Sequence, residues 1–336
     1  MKILFSSYAF LPGVGGIETV SAILAEEFVK AGHEVELITE TPGEISGPVG
    51  YGITRRPSRS KVISLLRWSD LFFQNNISLP TLLLALVLRK PCIVVHQTWI
   101  RNVRGELRWQ DRLKRSLLSR VTNVAISQAV ADDLQRSCVI NANPYQDTTF
   151  RIVPRVDRDR DLVFLGRLVS DKGADILLRA LHQLRQNDRA PTLTIIGTGP
   201  EERALRALSV ELDLRDQVTF VGGKSGDELA MLLNQHRIMV IPSRWAEPFG
   251  VVALEGIACG CVLVGSEDGG LKEAMGPCGI TFRNGDYPSL AAALDRLLGD
   301  RGLEESLRQE GPAHLLRFKT TAVTRFYLQL IKEVVR

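Results

Sequence analysis

Cysteine is scarce in this 336-residue chain, and its count is odd: Cys92, Cys138, Cys259, Cys261 and Cys278. Their spacing fits neither a zinc ribbon nor a redox CxxC pair, which argues against a disulfide framework and points to a reducing compartment. Cys259 and Cys261 sit in an apolar run with no His nearby and read as small buried hydrophobes. Long hydrophobic runs are missing too. The longest, residues 79–88, is stopped by Arg89-Lys90-Pro91, short of the roughly 18 residues a membrane span needs. The apolar start at residues 3–5 gives way to Ser6-Ser7, too short for the core of an export signal. A cytoplasmic protein is expected, at most peripheral at the inner face of the membrane. Net charge is small: 42 Lys and Arg against 38 Asp and Glu give +4, without the clustered basic face that nucleic acid requires. There is no HExxH, no Walker A loop, no Ser-His-Asp ordering and no carboxylate cluster, so neither a metal nor a resident cofactor is expected.

What is present is an ordinary soluble composition, 45% hydrophobic, in a chain longer than one core usually serves. Residues 2–8 form a β-run, 9–16 a glycine loop, 17–31 a stretch of helical spacing, and 34–39 another β-run. That is one βαβ unit, and it predicts a parallel sheet covered by helices. Further strands are expected at 92–95 and 121–126. The pattern lapses over residues 141–161, where Asn143-Pro144-Tyr145 is turn chemistry. A second α/β series follows, with strands at 162–165, 193–196, 218–221, 238–242 and 262–265 and helices at 174–186, 201–212, 227–234 and after Phe249. The expected organisation is two Rossmann-like domains, 1–145 and 146–318, facing a cleft at the carboxyl ends of their strands. A last amphipathic helix closes the chain over 319–336.

One stretch, residues 241–271, has an unusual charge. Between Phe249 and Gly265 the only charged residue is Glu255, and a buried carboxylate without a partner is costly. Glu247 stands eight positions earlier, so the pattern is Glu, seven residues, Glu. A hydroxyl-rich ligand would satisfy both. Gly166 to Gly173 reads GRLVSDKG after a strand, and Arg167 and Lys172 there can straddle a diphosphate. A solvated loop with Arg167 paired to Asp171 is the plainer alternative. Gly197 and Gly222 follow strands of the same sheet and suit close approach of a base and ribose. In the first domain, Gly13-Val14-Gly15-Gly16 opens a helix and can hold an anionic group, although Glu18 occupies the third glycine's place in the dinucleotide fingerprint. Glu40 ends the second strand where a ribose-binding acid would sit. His96 closes another strand. Residues 101–120 carry seven Lys and Arg against Glu106 and Asp111, with Trp109, Leu113, Leu117 and Leu118 interleaved. This reads either as a basic amphipathic helix resting on anionic lipid or as a surface helix with its apolar stripe in the core.

Taken in order, these residues resemble glycosyltransferase family 4, the retaining, nucleotide-sugar-dependent enzymes of GT-B fold. The likeness spans nearly the whole chain and is strongest over residues 162–286. Glu247 to Glu255 is similar to the family's E-x7-E motif. GRLVSDKG, Gly15-Gly16-Ile17-Glu18, His96, Asn143-Pro144 and Gly269-Gly270-Leu271-Lys272-Glu273 fall where the family has theirs. The resemblance implies that Glu255 holds ribose hydroxyls and Glu247 contacts the donor sugar. By the same likeness, the N–H groups of Phe249, Gly250 and Val251 hold sugar hydroxyls and phosphate, while Arg167 and Lys172 neutralise the leaving diphosphate. Gly15 or Gly16 would approach that diphosphate from the first domain, His96 would lie beside the donor sugar, and the last helix would cross back to the first domain. Gly256-Ile257 and Cys261-Val262 depart from the family's usual residues at helix-packing and strand-entry positions. The implied activity is transfer of a hexose-type sugar from a UDP- or GDP-sugar to a glycan or lipid-linked acceptor, as in cell-surface polysaccharide or glycolipid synthesis. Three readings stand beside it: a nucleotide-sugar epimerase or phosphorylase of the same fold, a sugar-nucleotide sensor without turnover, and an NAD-dependent oxidoreductase built on residues 13–16 and Glu40.

Overall fold

The computed structural model describes residues 1–13, 15–45, 47–101 and 105–335. The chain divides into two units: Met1–Pro144 together with Thr320–Arg336, and Tyr145–Lys319.

In unit 1 the order is β1 (Lys2–Ser7), α1 (Gly16–Lys30), β2 (Glu34–Thr39), β3 (Gly52–Arg55), α2 (Arg59–Trp68), β4 (Leu71–Asn75) and α3 (Leu79–Val87). It continues through β5 (Cys92–His96), α4 (Trp109–Leu117), β6 (Thr122–Ala125), α5 (Gln128–Leu134) and β7 (Val139–Ile140). The seven strands pair in parallel in the order β3-β2-β1-β4-β5-β6-β7. β4 and β5 are buried at every residue, which suits parallel strands covered by helices. Among the described residues, β3, β4 and β7 and the helices α2, α3 and α5 add to the elements expected from sequence. The helix expected over 101–120 is confined to α4, followed by a single 3-10 turn at Leu118–Arg120. Leu117 and Leu118 reach the core, but Trp109 is 71% exposed and does not join an apolar stripe. Arg104, also part of that stretch, lies outside the described residues.

Unit 2 runs β8 (Arg160–Leu165), α6 (Ala174–Gln186), β9 (Leu193–Ile196), α7 (Glu202–Glu211), β10 (Val218–Gly222), α8 (Gly226–Asn234) and β11 (His236–Ile241). Then come α9 (Val251–Ala258), β12 (Val262–Ser266), α10 (Leu271–Met275), β13 (Gly279–Phe282), α11 (Tyr287–Gly299), α12 (Arg301–Gln309) and α13 (Gly311–Leu315). Its six strands are parallel, in the order β10-β9-β8-β11-β12-β13. Leu162, Phe164, Ile238, Val240 and Val264 of the sheet pack with Leu177, Leu181 and Leu184 of α6 into one apolar core. Under α12, Glu304 is nearly sealed from water and accepts from Arg237 and Arg308, with Asp161 taking the other side of Arg237.

The final helix, α14 (Thr320–Val335), belongs to unit 1, where it packs on α1 and β5. Its anchor is Tyr327, fully buried, with its ring 5.4 Å from that of Phe73. Phe73 meets Phe5 at 5.0 Å and Phe28 at 5.2 Å, so helix and sheet share one aromatic cluster. Among the described residues no helix is long and apolar enough to cross a membrane.

Candidate functional site

In unit 2 the candidate residues collect on loops at the carboxyl ends of the strands, and backbone contact fixes those loops. Gly197 follows β9 with φ +145°, and a Cβ there would stand 1.9 Å from the Gly166 carbonyl oxygen. A Cβ on Gly199 would meet the Leu168 carbonyl oxygen at 2.3 Å, and one on Gly173 (φ +67°) the Pro242 oxygen at 2.0 Å. Only glycine fits such approaches. The GRLVSDKG loop is thereby held between the loops after β9 and β11, with Leu168 N–H donating to Thr198 at 2.9 Å. Gly222 needs its glycine for conformation alone, since φ is +73° and nothing lies within 4 Å of the missing Cβ.

On this frame Lys172 Nζ donates to Glu247 Oε1 at 2.6 Å, and Ser243 Oγ donates to the same oxygen at 2.6 Å. Glu247 is only 9% exposed. Its main chain is bridged to Gly269, and its carbonyl accepts from Gly270 N–H at 2.7 Å. A Cβ on Gly269 would stand 2.3 Å from that carbonyl oxygen, so the glycine pair is the seat of the glutamate. Ser243 was not singled out in the sequence, although a hydroxyl four residues before a glutamate was a readable signal. Arg167 is exposed and makes no ion pair among the described residues; its expected alternative partner, Asp171, does not hold it.

Gly250, at φ +104°, caps the start of α9. The N–H groups of Phe249, Gly250 and Val251 have no partner among the described residues, as the first turn of a helix dictates. The Phe249 side chain is buried against Phe318, so its contribution to a ligand runs through the backbone. Glu255 lies one turn further along α9. Glu255 is only partly exposed; its carboxylate has no hydrogen-bond partner among the described residues, and desolvation pushes its pKa up to about 7. Two or more hydroxyl donors would relieve that cost.

The candidates in unit 1 are placed differently. Gly15 precedes α1, and a Cβ there would stand 2.5 Å from Glu18 Oε2. The Glu18 carboxylate therefore already covers the helix start where an anion was expected. Val14 lies outside the described residues. His96 is fully buried. Its Nε2 bonds Asn123 Oδ1 at 3.1 Å, while Nδ1 has no partner among the described residues. Burial lowers its pKa to about 4, so the ring is neutral at pH 7 and presents no open edge to a sugar. Beside it runs a buried amide and hydroxyl chain that the sequence did not disclose. Ser7 bonds Ser21 at 2.8 Å, Asn75 donates to Ser21 at 2.7 Å, and Gln97 donates to Asn75 at 2.8 Å. Gln97 and Asn143 close the chain by exchanging bonds of 2.9 and 2.7 Å.

Two family models match this chain. Glycosyl transferases group 1 matches residues 146–314, and Glycosyltransferase Family 4 matches residues 14–146. The chain belongs to the group 1 glycosyl transferases. An uncharacterized glycosyltransferase of Methanocaldococcus jannaschii is 37% identical over 151 residues, 44% of this chain and 38% of the relative. The D-inositol 3-phosphate glycosyltransferase of Stackebrandtia nassauensis is 36% identical over 168 residues, 47% of this chain and 38% of the relative. The matched stretch thus spans under two fifths of these curated relatives. Two solved structures cover the whole length. Sucrose-phosphate synthase from Thermosynechococcus elongatus superposes with TM-score 0.83 at 20% identity, covering 99% of this chain and 98% of that one. Anabaena HepE in complex with UDP superposes with TM-score 0.84 at 18% identity, covering 99% and 100%. The group 1 glycosyl transferase described here therefore has the α/β, two-sheet GT-B fold of such enzymes.

Proposed function

We propose that this chain is a retaining glycosyltransferase that moves a hexose-type sugar from a UDP- or GDP-sugar to a glycan or lipid-linked acceptor. The observation that carries the reading is the pair of glutamates in unit 2, one seated and one unsatisfied. Glu247 is bound by Lys172 and Ser243 through a single oxygen, while Glu255, one turn into α9, has no hydrogen-bond partner among the described residues. In the reaction, Glu255 accepts from the two ribose hydroxyls and the N–H groups of Phe249, Gly250 and Val251 bind sugar hydroxyls and phosphate. The loops at Gly197 and Gly222 admit the base and ribose. As the glycosidic bond breaks, negative charge gathers on the departing diphosphate. Arg167, which makes no ion pair among the described residues, meets that charge with its fork, and Lys172 adds a second positive charge while holding Glu247 toward the donor sugar. Retention follows if the leaving phosphate takes the acceptor's proton on the same face, a route that needs no nucleophile and acid pair of the glycosidase kind. His96 enters this scheme as a positioning residue inside unit 1.

That neighbours of similar fold were solved with UDP and UDP-glucose supports a uridine donor. Arg167→Ala should lower transfer about 10²–10³-fold, as loss of one transition-state donor does. Glu255→Ala should weaken nucleotide binding, with thermal stability retained in both variants. Full turnover in both would sink the reading, with product anomer by NMR deciding retention. Peripheral membrane contact is the further part of the proposal. Leu107 and Trp109 stand exposed beside Arg108 and Arg112, whereas Arg115 is tied to Asp133 and Lys114 to Asp111. Co-sedimentation with phosphatidylglycerol vesicles, lost on Trp109→Ala, is the expected result, and equal pelleting of both proteins would refute it.

A further inference from the structure

The longest apolar run of the chain, residues 79–88, is too short to cross a membrane, and the donor chemistry gives it no role. It folds as α3, in which Thr81 is the only polar residue. That threonine is already engaged, its Oγ1 accepting from Gln74 Nε2 at 2.7 Å. A helix apolar all round belongs in a core or in lipid, because a surface helix turns polar groups to water. Yet of α3 only Leu82 and Ala85 are buried. Leu83 is 40% and Val87 78% exposed, and exposed Pro80 shares their face by the i, i+3, i+7 spacing. The connections β3-α2-β4 and β4-α3-β5 step the same way across the sheet. Right-handed crossovers therefore put α2 and α3 in one layer, where the two helices pack together.

Charge narrows the partner. Residues 55–90 carry seven Lys and Arg against Asp70 alone, in a chain whose totals nearly balance. Asp70 is itself occupied, accepting from the Lys2 N–H at 2.8 Å. Three of the cations are tied to carbonyls: Arg55 to Thr41 and Leu11, Arg56 to Glu40, and Lys90 to Ser69. The other four, Arg59, Lys61, Arg67 and Arg89, are exposed, and their side chains make no hydrogen bond or ion pair among the described residues. Three of them stand on α2, whose buried face is Val62, Leu65 and Leu66, and Arg89 follows the end of α3. Apolar side chains with unpaired cations beside them match a bilayer surface, where the former enter the acyl boundary and the latter reach the phosphates. A second copy of the chain is a poorer match. A self-complementary interface on this layer would bring the same four cations of each copy together, whereas an anionic surface meets all of them at once.

We infer that the α2–α3 layer of unit 1 rests on an anionic lipid bilayer, with Leu83 and Val87 among the acyl chains and Arg59, Lys61, Arg67 and Arg89 at the headgroup phosphates. This surface is separate in sequence from Leu107 and Trp109. It needs neither that contact nor the transferase reading.

Co-sedimentation of the full chain tests this, with vesicles of mixed phosphatidylcholine and phosphatidylglycerol and with vesicles of phosphatidylcholine alone. The expected result is binding to the mixed vesicles that falls as salt is raised, with little binding to the neutral ones. The paired substitutions Leu83→Ser with Val87→Ser should weaken it about tenfold, and so should Arg67→Gln with Arg89→Gln. All four positions are exposed, and an unchanged melting midpoint shows that the variants fold. The inference is overturned if no vesicle binds, if neutral vesicles bind as well as anionic ones, or if Trp109→Ala abolishes binding while both paired variants keep it. It is overturned equally if light scattering shows a parent dimer that the Leu83 and Val87 pair converts to a monomer, since the apolar face then belongs to a second copy. UDP and GDP titrated into the same samples keep the two readings apart. A chain that binds anionic vesicles through this layer and neither nucleotide supports the surface and counts against the transferase, whereas nucleotide binding without vesicle binding does the reverse.

Discussion

The two units are built on the same parallel α/β plan, yet they hold the carboxyl ends of their strands in place by different means. Unit 2 relies on backbone touching backbone: Gly173, Gly197, Gly199 and Gly269 each leave a Cβ-sized space that a carbonyl oxygen fills. Its side-chain contacts there are charged, as in the Lys172 bond to Glu247. Unit 1 relies instead on neutral side chains, the run of Ser7, Ser21, Asn75, Gln97 and Asn143. Glycine contacts fix a loop rigidly, because its backbone is pressed against the backbone of the next loop with no side chain between them. Amides both donate and accept, so this buried run ties the strand ends of unit 1 together without any charge.

Gly197→Ala is the sharpest way to break this contrast. It places a methyl group against the Gly166 carbonyl and forces φ +145° on an L-residue, for a combined cost of about 4 kcal/mol. Urea unfolding should show the transition of unit 2 moved to lower denaturant and UDP binding lost. Asn75→Ala removes a fully buried amide with bonds to Ser21 and Gln97, and should cost about 2 kcal/mol, with nucleotide binding kept. Should the asparagine prove the costlier site, or abolish UDP binding, the contrast between the units would fall.

The same contrast explains what the sequence disclosed. The loop elements of unit 2 were legible because glycine and isolated charge are conspicuous: GRLVSDKG, Gly197 and the Glu247–Glu255 spacing all announce themselves. The strands β1, β2, β8, β9 and β12 were legible from apolar runs bounded by turn residues. β4, read LFFQN, was not, because its last two residues are polar and resemble a loop. Asn75, Gln97 and Asn143 look like turn or surface residues in one dimension; only the strand order β1-β4-β5 brings them together and buries them. Trp109 was ambiguous in one dimension, since an aromatic between arginines reads either as the inner face of a helix or as a surface contact, and it is 71% exposed. His96 illustrates a further limit. Its place at a strand's end was readable, but whether the ring points outward or into the helix layer depends on Asn123, on the neighbouring strand.

The smallest expected effect separates stability from function at one residue of unit 2. In the folded chain burial pushes Glu255 up to about 7, against an ordinary value of 4.5 in the unfolded chain. Between those values unfolding releases a proton, so stability falls as pH rises through that window, and the cost is fully present above pH 7. Glu255→Gln should therefore raise the free energy of unfolding by about 1 kcal/mol at pH 8 and leave it unchanged at pH 4, because glutamine is never charged but must still be desolvated. Ribose hydroxyls stabilise the ionised carboxylate, so UDP should bind the parent protein more tightly at pH 8 than at pH 6. The Gln variant should bind it weakly at both pH values. A variant that gains stability yet keeps pH-dependent UDP binding would show that the ribose is held elsewhere on unit 2, and that the unpartnered glutamate is a burden without a use.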